Sequence, residues 1–162
     1  MGAGKTTLGR KLAETLNIPF FDSDQEIEKE SKTSIQGLFE EHGELYFREK
    51  EKEFIQSLFQ KTNFVLATGG GLPCFNNQIT ELNNLGITVY LNNSVEILIQ
   101  RLLNDIQHRP LIKDLTEKEL KGFILQKMSE REPIYLQSKF VFKESDQSTD
   151  ALIHQLGLHR KS

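Results

Sequence analysis

Short apolar segments alternate with amphipathic helical segments along all 162 residues of the chain. Residues 64–67 and 87–91 are compact apolar runs bounded by polar residues or Gly, which is typical of buried parallel strands. Between such runs, apolar residues recur every three to four positions, as in helices that pack one face on a sheet. The alternation therefore predicts an α/β fold, with a parallel sheet covered by helices on both faces.

The same periodicity, together with capping residues, gives approximate bounds for each element. Ser34, Ser94 and Thr116 are expected N-caps, Gly43 is expected to break a helix, and Gly157 to end the last one. Residues 107–115 are predicted to form a loop. The predicted helices are 6–16, 34–41, 47–61, 78–85, 94–106, 116–128 and 148–156, and the predicted strands are 19–21, 64–67, 87–91 and 140–142.

Composition limits the function classes. With 37% hydrophobic and 27% charged residues and no repeat or linker, the chain is predicted to be one globular domain, residues 1–162. A formal net charge of −3 argues against a nucleic-acid partner. No apolar run approaches the roughly 18 residues of a membrane span, so a cytoplasmic protein is expected. The lone Cys74 excludes an internal disulfide and, without a His/Cys cluster, a zinc site.

The strongest chemical signal is Gly2-Ala3-Gly4-Lys5-Thr6-Thr7, which opens directly into the first predicted helix. Glycines let backbone N–H groups converge on phosphates, and a helix N-terminus adds partial positive charge. In such a loop, Lys5 would reach the β- and γ-phosphates and Thr6 would bind magnesium. The alternative interpretation is a glycine-rich helix start that binds nothing.

Two carboxylates, Asp22 and Asp24, follow the predicted strand 19–21. At that edge of a parallel sheet, one could hold magnesium through water while the other contacts a substrate hydroxyl. By itself, however, an Asp at a strand end is more often a helix cap. The position after a phosphate-binding loop favours the functional interpretation.

Three consecutive glycines, Gly69, Gly70 and Gly71, end the predicted strand 64–67. Such a run is costly in chain entropy, and its use is to let another group come against the backbone.

The charged run 49–53 is predicted to be a solvated helix face. Single arginines are usually surface residues. Those of interest here are Arg48, Arg101, Arg109 and Arg131.

Five segments of the chain form a recognisable set: Gly-Ala-Gly-Lys-Thr, Phe-Asp-Ser-Asp, Gly-Glu-Leu-Tyr-Phe-Arg, Ala-Thr-Gly-Gly-Gly and His-Arg-Pro-Leu. In their order and spacing, the chain resembles the shikimate kinase family over nearly its whole length. The resemblance implies a three-layer P-loop kinase fold with a five-stranded parallel sheet in the order 2-3-1-4-5. It also implies a small lid at about 107–116 and a substrate-binding helical region at about 24–61. The implied reaction converts ATP and shikimate to ADP and shikimate 3-phosphate, on the route to chorismate and the aromatic amino acids.

The resemblance also implies roles for individual residues. Lys5, Asp24 and Arg109 would be catalytic, and Thr6 and Asp22 would bind Mg²⁺. The implied partners are ATP and shikimate, with the protein a monomer. The residues implied to bind ATP are Gly2, Ala3, Gly4, Lys5, Thr6, Thr7, Arg101 and Arg109. Those implied to bind shikimate are Asp24, Arg48, Gly69, Gly70, Gly71 and Arg131.

The chain departs from the family pattern in two places. Leu72-Pro73-Cys74-Phe75 follows the triple glycine, where the family usually has small or hydroxyl residues. The first Gly of the phosphate-binding pattern and the strand before it are missing, so we expect the native protein to begin about ten residues earlier, with Met1 a misplaced start. The alternatives are a kinase of another small hydroxylated acid and a non-catalytic nucleotide-binding descendant.

Overall fold

A computed structural model describes residues 2–104, 112–143 and 148–158. Helices and short strands alternate within these ranges, as the α/β prediction requires. The helices are α1 (Lys5–Leu16), α2 (Ser23–Ser31), α3 (Ile35–Leu58), α4 (Gln78–Leu85), α5 (Val95–Leu103), α6 (Glu117–Tyr135) and α7 (Thr149–Gln155), with a 3-10 helix at Leu72–Cys74. The strands are β1 (Phe20–Asp22), β2 (Val65–Ala67), β3 (Val89–Asn92) and β4 (Phe140–Lys143).

The four strands form two parallel pairs. Strand β1 pairs with β2, with Phe20 opposite Val65, and β3 pairs with β4, with Val89 opposite Phe140. Within the described ranges these pairs are separate two-stranded sheets, not one continuous sheet. The parallel direction agrees with the sequence prediction, whereas the order of a five-stranded sheet stays a prediction.

The core consists of three apolar clusters. One joins α2, α3 and the 3-10 helix, a second lies between α5 and α6, and a third joins α1 and α7 to β4. Each fully buried aliphatic or aromatic side chain contributes roughly 1.5–3 kcal/mol to the free energy of unfolding. Among the described residues, the apolar side chains with no exposed surface are Ile55, Leu58, Leu72, Leu102, Ile112, Leu120 and Phe142.

The helix boundaries follow the capping residues. Ser34 and Ser94 accept hydrogen bonds from the third residue of their helices, and Thr116 forms a capping box with Glu119, as predicted. Gly43 interrupts α3 with φ +79° and ψ 174°, a conformation that side-chain-bearing residues rarely adopt. The predicted break within residues 34–61 is therefore present, although the two helical parts run on as one element.

Two elements differ from the sequence prediction. Helix α2 was not predicted from periodicity, because among its nine residues Ile27 is the one buried apolar side chain and no stripe is visible, although the resemblance implied a helical region at about 24–61. Helix α6 continues to Tyr135, beyond the predicted end near residue 128. Its last turn contains Pro133, which has no N–H and so leaves one hydrogen bond of that turn unformed.

No helix in the described part of the chain is long and apolar enough to cross a membrane. Half of the predicted lid, residues 107–111 with Arg109 among them, lies outside the described residues, as does Ile106 at the predicted end of the fifth helix.

Candidate active site

A cavity of about 260 Å³ lies where the start of α1, the loop after β2 and helix α6 meet. Lys5 lines it from α1, Gly69 and Gly70 from the loop, and Arg131 from α6. The fold thus brings together residues from three separate motifs of the sequence. The segment 69–71, here called the glycine segment, forms one wall of the site.

The start of α1 is suited to binding an anion. Gly4 is the N-cap, in the left-handed conformation with φ +83°, and no described side chain caps the helix there. The first N–H groups of a helix have no partner within the helix, which is why helix starts commonly bind phosphates. Thr7 lies in the same first turn and is exposed.

Thr6 and Asp22 lie side by side at the ends of α1 and β1. The Thr6 Oγ1 donates a hydrogen bond to Asp22 Oδ2 at 2.8 Å. The other oxygen, Asp22 Oδ1, accepts the N–H groups of Asp24 and Gln25 at 3.2 and 3.4 Å, and so caps α2. Asp22 is therefore both a helix cap and a neighbour of the phosphate-binding loop. A hydroxyl and a carboxylate are hard oxygen donors of the kind that Mg²⁺ takes alongside phosphate and water.

Asp24 is packed against the glycine segment. A Cβ at position 69 would lie 2.5 Å from Asp24 Oδ1, so only glycine leaves room for this carboxylate. Ser23, fully buried, donates to Asp24 Oδ1 at 3.3 Å and accepts the Gly69 N–H at 2.8 Å. Burial, and then the charge of Asp22, raise the pKa of Asp24, against the opposing effects of Ser23 and Lys5.

Arg48 is packed against the other end of the glycine segment. A Cβ at Gly71 would lie 2.9 Å from both terminal guanidinium nitrogens. The Nε and Nη2 atoms donate to Glu44 Oε1 at 3.2 and 2.8 Å, and Nη1 donates to Glu51 Oε2 at 2.6 Å. The Phe75 ring centroid lies 3.9 Å from the guanidinium carbon. Arg48 is thus a fixed, buried cation and not a surface arginine.

The buried Glu51 corrects the prediction that residues 49–53 form a solvated helix face. Glu49 and Glu53 are exposed as expected, but Glu51 retains 2% of its surface because it faces inward, three residues after Arg48. Burial raises the pKa of the Glu51 carboxyl, and the hydrogen bond from Arg48 opposes that rise. The spacing of Arg48 and Glu51 was a visible signal for this pair.

The remaining predicted arginines are placed differently. Arg131 is half-buried and lines the cavity from α6. Arg101 is exposed on α5, and its Nη1 donates to the Ala3 carbonyl at 3.2 Å and to Asn93 Oδ1 at 3.2 Å. It therefore contacts the back of the phosphate-binding loop.

One further site residue was not singled out from the sequence. Tyr135, at the end of α6, donates its hydroxyl to the Gly70 carbonyl at 2.6 Å. It lies four residues after Arg131, so both side chains can project from one helix face, which is the signal the sequence contained.

A helix start with a left-handed glycine cap, an adjacent hydroxyl–carboxylate pair and a glycine wall that carries a carboxylate and a buried guanidinium are typical of a P-loop kinase. Comparison with known proteins gives the family. The shikimate kinase family model matches residues 1–158, and the chain belongs to that family.

Individual relatives agree. The chain is 41% identical over 157 residues to a shikimate kinase of Azobacteroides pseudotrichonymphae, covering 96% of this chain and 92% of the relative. It superposes with a TM-score of 0.93 on the crystal structure of shikimate kinase from Bacteroides thetaiotaomicron, at 37% identity and covering 98% and 94% of the two chains. A shikimate kinase from Acinetobacter baumannii, solved in complex with shikimate, gives a TM-score of 0.80 at 36% identity, covering 96% and 85%.

The predicted function, that of an ATP-dependent phosphotransferase of the shikimate kinase type, is confirmed at the level of the family. The α/β kinase fold is confirmed by the same structural neighbours.

Proposed function

We propose that this chain transfers the γ-phosphate of ATP to the 3-hydroxyl of shikimate, giving ADP and shikimate 3-phosphate for the synthesis of chorismate and the aromatic amino acids. One observation carries the proposal: Asp24 and Arg48 are packed on Gly69 and Gly71, at the two ends of one glycine segment. If a hydroxylated acid lay along that segment, its hydroxyl would contact the Asp24 carboxylate at one end, and its own carboxylate would contact the Arg48 guanidinium at the other.

At the nucleotide end, the N–H groups from Gly2 to Thr7 and the Lys5 ammonium hold the phosphates, and Arg101 lies beside the adenine. Thr6 and Asp22 would hold Mg²⁺, which neutralises charge on the β- and γ-phosphates when bound. The hydrogen-bonded position of these two side chains supports the assignment. Arg109 lies outside the described residues, and its proposed role is to stabilise the negative charge that develops on the transferred phosphoryl group.

At the acceptor end, the Asp24 carboxylate orients the 3-hydroxyl and takes up its proton as the oxygen bonds to phosphorus. Its contact with Ser23 fixes the carboxylate against Gly69. Arg48 and Arg131, from α3 and α6, bind the substrate carboxylate, for which a planar, two-pronged donor is the suitable chemistry.

The wider organisation is also part of the proposal. The facing edges of β2 and β3 are unpaired among the described residues, so a further strand between them would join the two parallel pairs into one sheet. If that strand is counted as the first and β1 to β4 as the second to the fifth, the order of this sheet is 2-3-1-4-5. The chain would act as a cytoplasmic monomer, a single domain whose acid-binding helical region is about 24–61. Sedimentation velocity would test the monomeric state.

The substrate assignment is tested by comparing shikimate with its methyl ester, which keeps the hydroxyls and loses the negative charge. We expect ADP release with Mg-ATP to depend on shikimate and to fall at least about tenfold in kcat/KM with the ester, since two charged hydrogen bonds are weakened. Asp24→Asn and Lys5→Ala should abolish turnover of both. Equal use of acid and ester would contradict the proposal.

A further inference from the structure

The glycine segment has no side chains of its own, so its path is fixed by its neighbours. Gly69 is held through its N–H, which donates to Ser23. The middle residue, Gly70, is held through its carbonyl, which accepts the Tyr135 hydroxyl at 2.6 Å. This hydrogen bond joins residues 65 positions apart in the sequence and connects the end of α6 to the wall of the site.

Tyr135 lines the cavity together with Arg131, which lies one helical turn earlier on α6. The Gly70 carbonyl also accepts the Cys74 thiol at 3.8 Å. Burial raises the pKa of the Tyr135 phenol, so the hydroxyl keeps its proton as a donor at neutral pH. The Tyr135 ring packs on Tyr90, with centroids 5.3 Å apart, which limits the positions it can adopt.

We propose that Tyr135 is a positioning residue for the acid-binding end of the site: its hydroxyl fixes the Gly70 peptide against the end of α6, and so sets how far the turn that carries Arg131 lies from the glycine segment. The proposal rests on the function proposed above, in which Arg131 binds the substrate carboxylate. Without the hydroxyl, the Gly70 carbonyl retains only the weak thiol donor among its described partners, and the end of α6 loses this hydrogen bond to the wall. Asp24, held through Ser23 and Gly69, is not affected.

Steady-state kinetics of Tyr135→Phe test this. We expect KM for shikimate to rise about 3- to 10-fold, the size of one neutral hydrogen bond, while kcat and KM for ATP stay within about twofold. The matched control is Tyr90→Phe, which removes the same atom from the stacked partner ring, where the hydroxyl donates to Glu132 Oε1 at 3.3 Å and does not reach the glycine segment. It should leave all three constants unchanged.

A purely structural role for Tyr135 would lower the melting temperature and kcat without a selective rise in KM for shikimate, and that result would overturn the inference. Wild-type constants in Tyr135→Phe would overturn it equally.

A second readout does not depend on turnover. The amide nitrogen of Gly71 belongs to the peptide whose carbonyl accepts the Tyr135 hydroxyl, so its ¹⁵N resonance should shift in Tyr135→Phe and stay in place in Tyr90→Phe. An unshifted resonance in Tyr135→Phe would contradict the inference. If the wild type showed no shikimate-dependent turnover but the Gly71 resonance shifted, the proposed function would fail while the ordering of the glycine segment by Tyr135 would stand.

Discussion

The glycine segment has no room for a methyl group at position 69 while Asp24 keeps its observed position. Adding one methyl group in Gly69→Ala would bring a Cβ to 2.5 Å from Asp24 Oδ1. The carboxylate, at the end of a flexible side chain, can move away, so we expect the protein to fold and kcat to fall by about 10²-fold, as for a displacement of about 1 Å at a reacting group. Steady-state kinetics and the melting temperature, measured together, check this.

The control is Gly122→Ala on α6, where nothing lies within 4 Å of the added Cβ. In a helix interior, Ala is more favourable than Gly by about 0.5–1 kcal/mol, so the control should be slightly more stable and fully active. Wild-type kcat in Gly69→Ala would show that the position of Asp24 does not limit turnover.

Ser23 influences the pH below which activity is expected to fall, because it is hydrogen-bonded to Asp24. Its hydrogen bond lowers the pKa of Asp24, so Ser23→Ala should raise that pKa further. Because Asp24 accepts a proton in its charged form, the acid limb of kcat/KM for shikimate should move to higher pH in the variant. Ser129→Ala, which removes an exposed hydroxyl from α6, should leave the limb in place. Coincident acid limbs in wild type and Ser23→Ala would rule out Asp24 as the titrating group.

At the scale of elements, α3 carries a buried ion pair. Arg48 and Glu51 retain 9% and 3% of their side-chain surface, so Glu51→Ala would leave a buried charge without one of its two carboxylates. Because Glu44 still pairs with Arg48 in this variant, we expect a loss of about 1.5–3 kcal/mol in the free energy of unfolding, the size of one hydrogen bond to a charged group, measured by urea denaturation. Glu49→Ala, at an exposed site of the same helix, should change it by less than about 0.5 kcal/mol.

Should Glu51→Ala not fold, Glu51→Gln keeps a hydrogen-bond acceptor for Arg48 and should unfold at an intermediate urea concentration. Equal midpoints for Glu51→Gln, Glu49→Ala and wild type would contradict a stabilising pair.

Helices and strands with strong local signals could be predicted from the sequence. The capping box at Thr116 and the break at Gly43 are local features, and both are present in the structure. Helix α2 and the burial of Glu51 could not be predicted as readily, because each depends on which face of a polar segment the rest of the fold covers. For the site, motifs indicated which residues matter, while the partners of Asp24 and Arg48 follow from tertiary packing.

At the scale of the whole molecule, the acid-binding end joins residues from two helices that are distant in sequence. Arg131 comes from α6 and Arg48 from α3, and both approach the loop after β2. Arg131→Lys replaces a planar two-pronged donor with a point charge, so KM for shikimate should rise by about 10-fold or more with kcat little changed. The control is Arg10→Lys on α1, where the guanidinium lies over the ring of Phe20. This control should leave KM for shikimate unchanged. An unchanged KM in Arg131→Lys would remove Arg131 from the acid-binding end.

The proposed phosphorylation of shikimate is tested by ADP release from Mg-ATP, measured with and without shikimate and followed by ³¹P identification of the product. We expect shikimate-dependent ADP release, with one phosphomonoester formed for each ADP. ADP release that is equal with and without shikimate, from a folded protein that binds ATP, would contradict it.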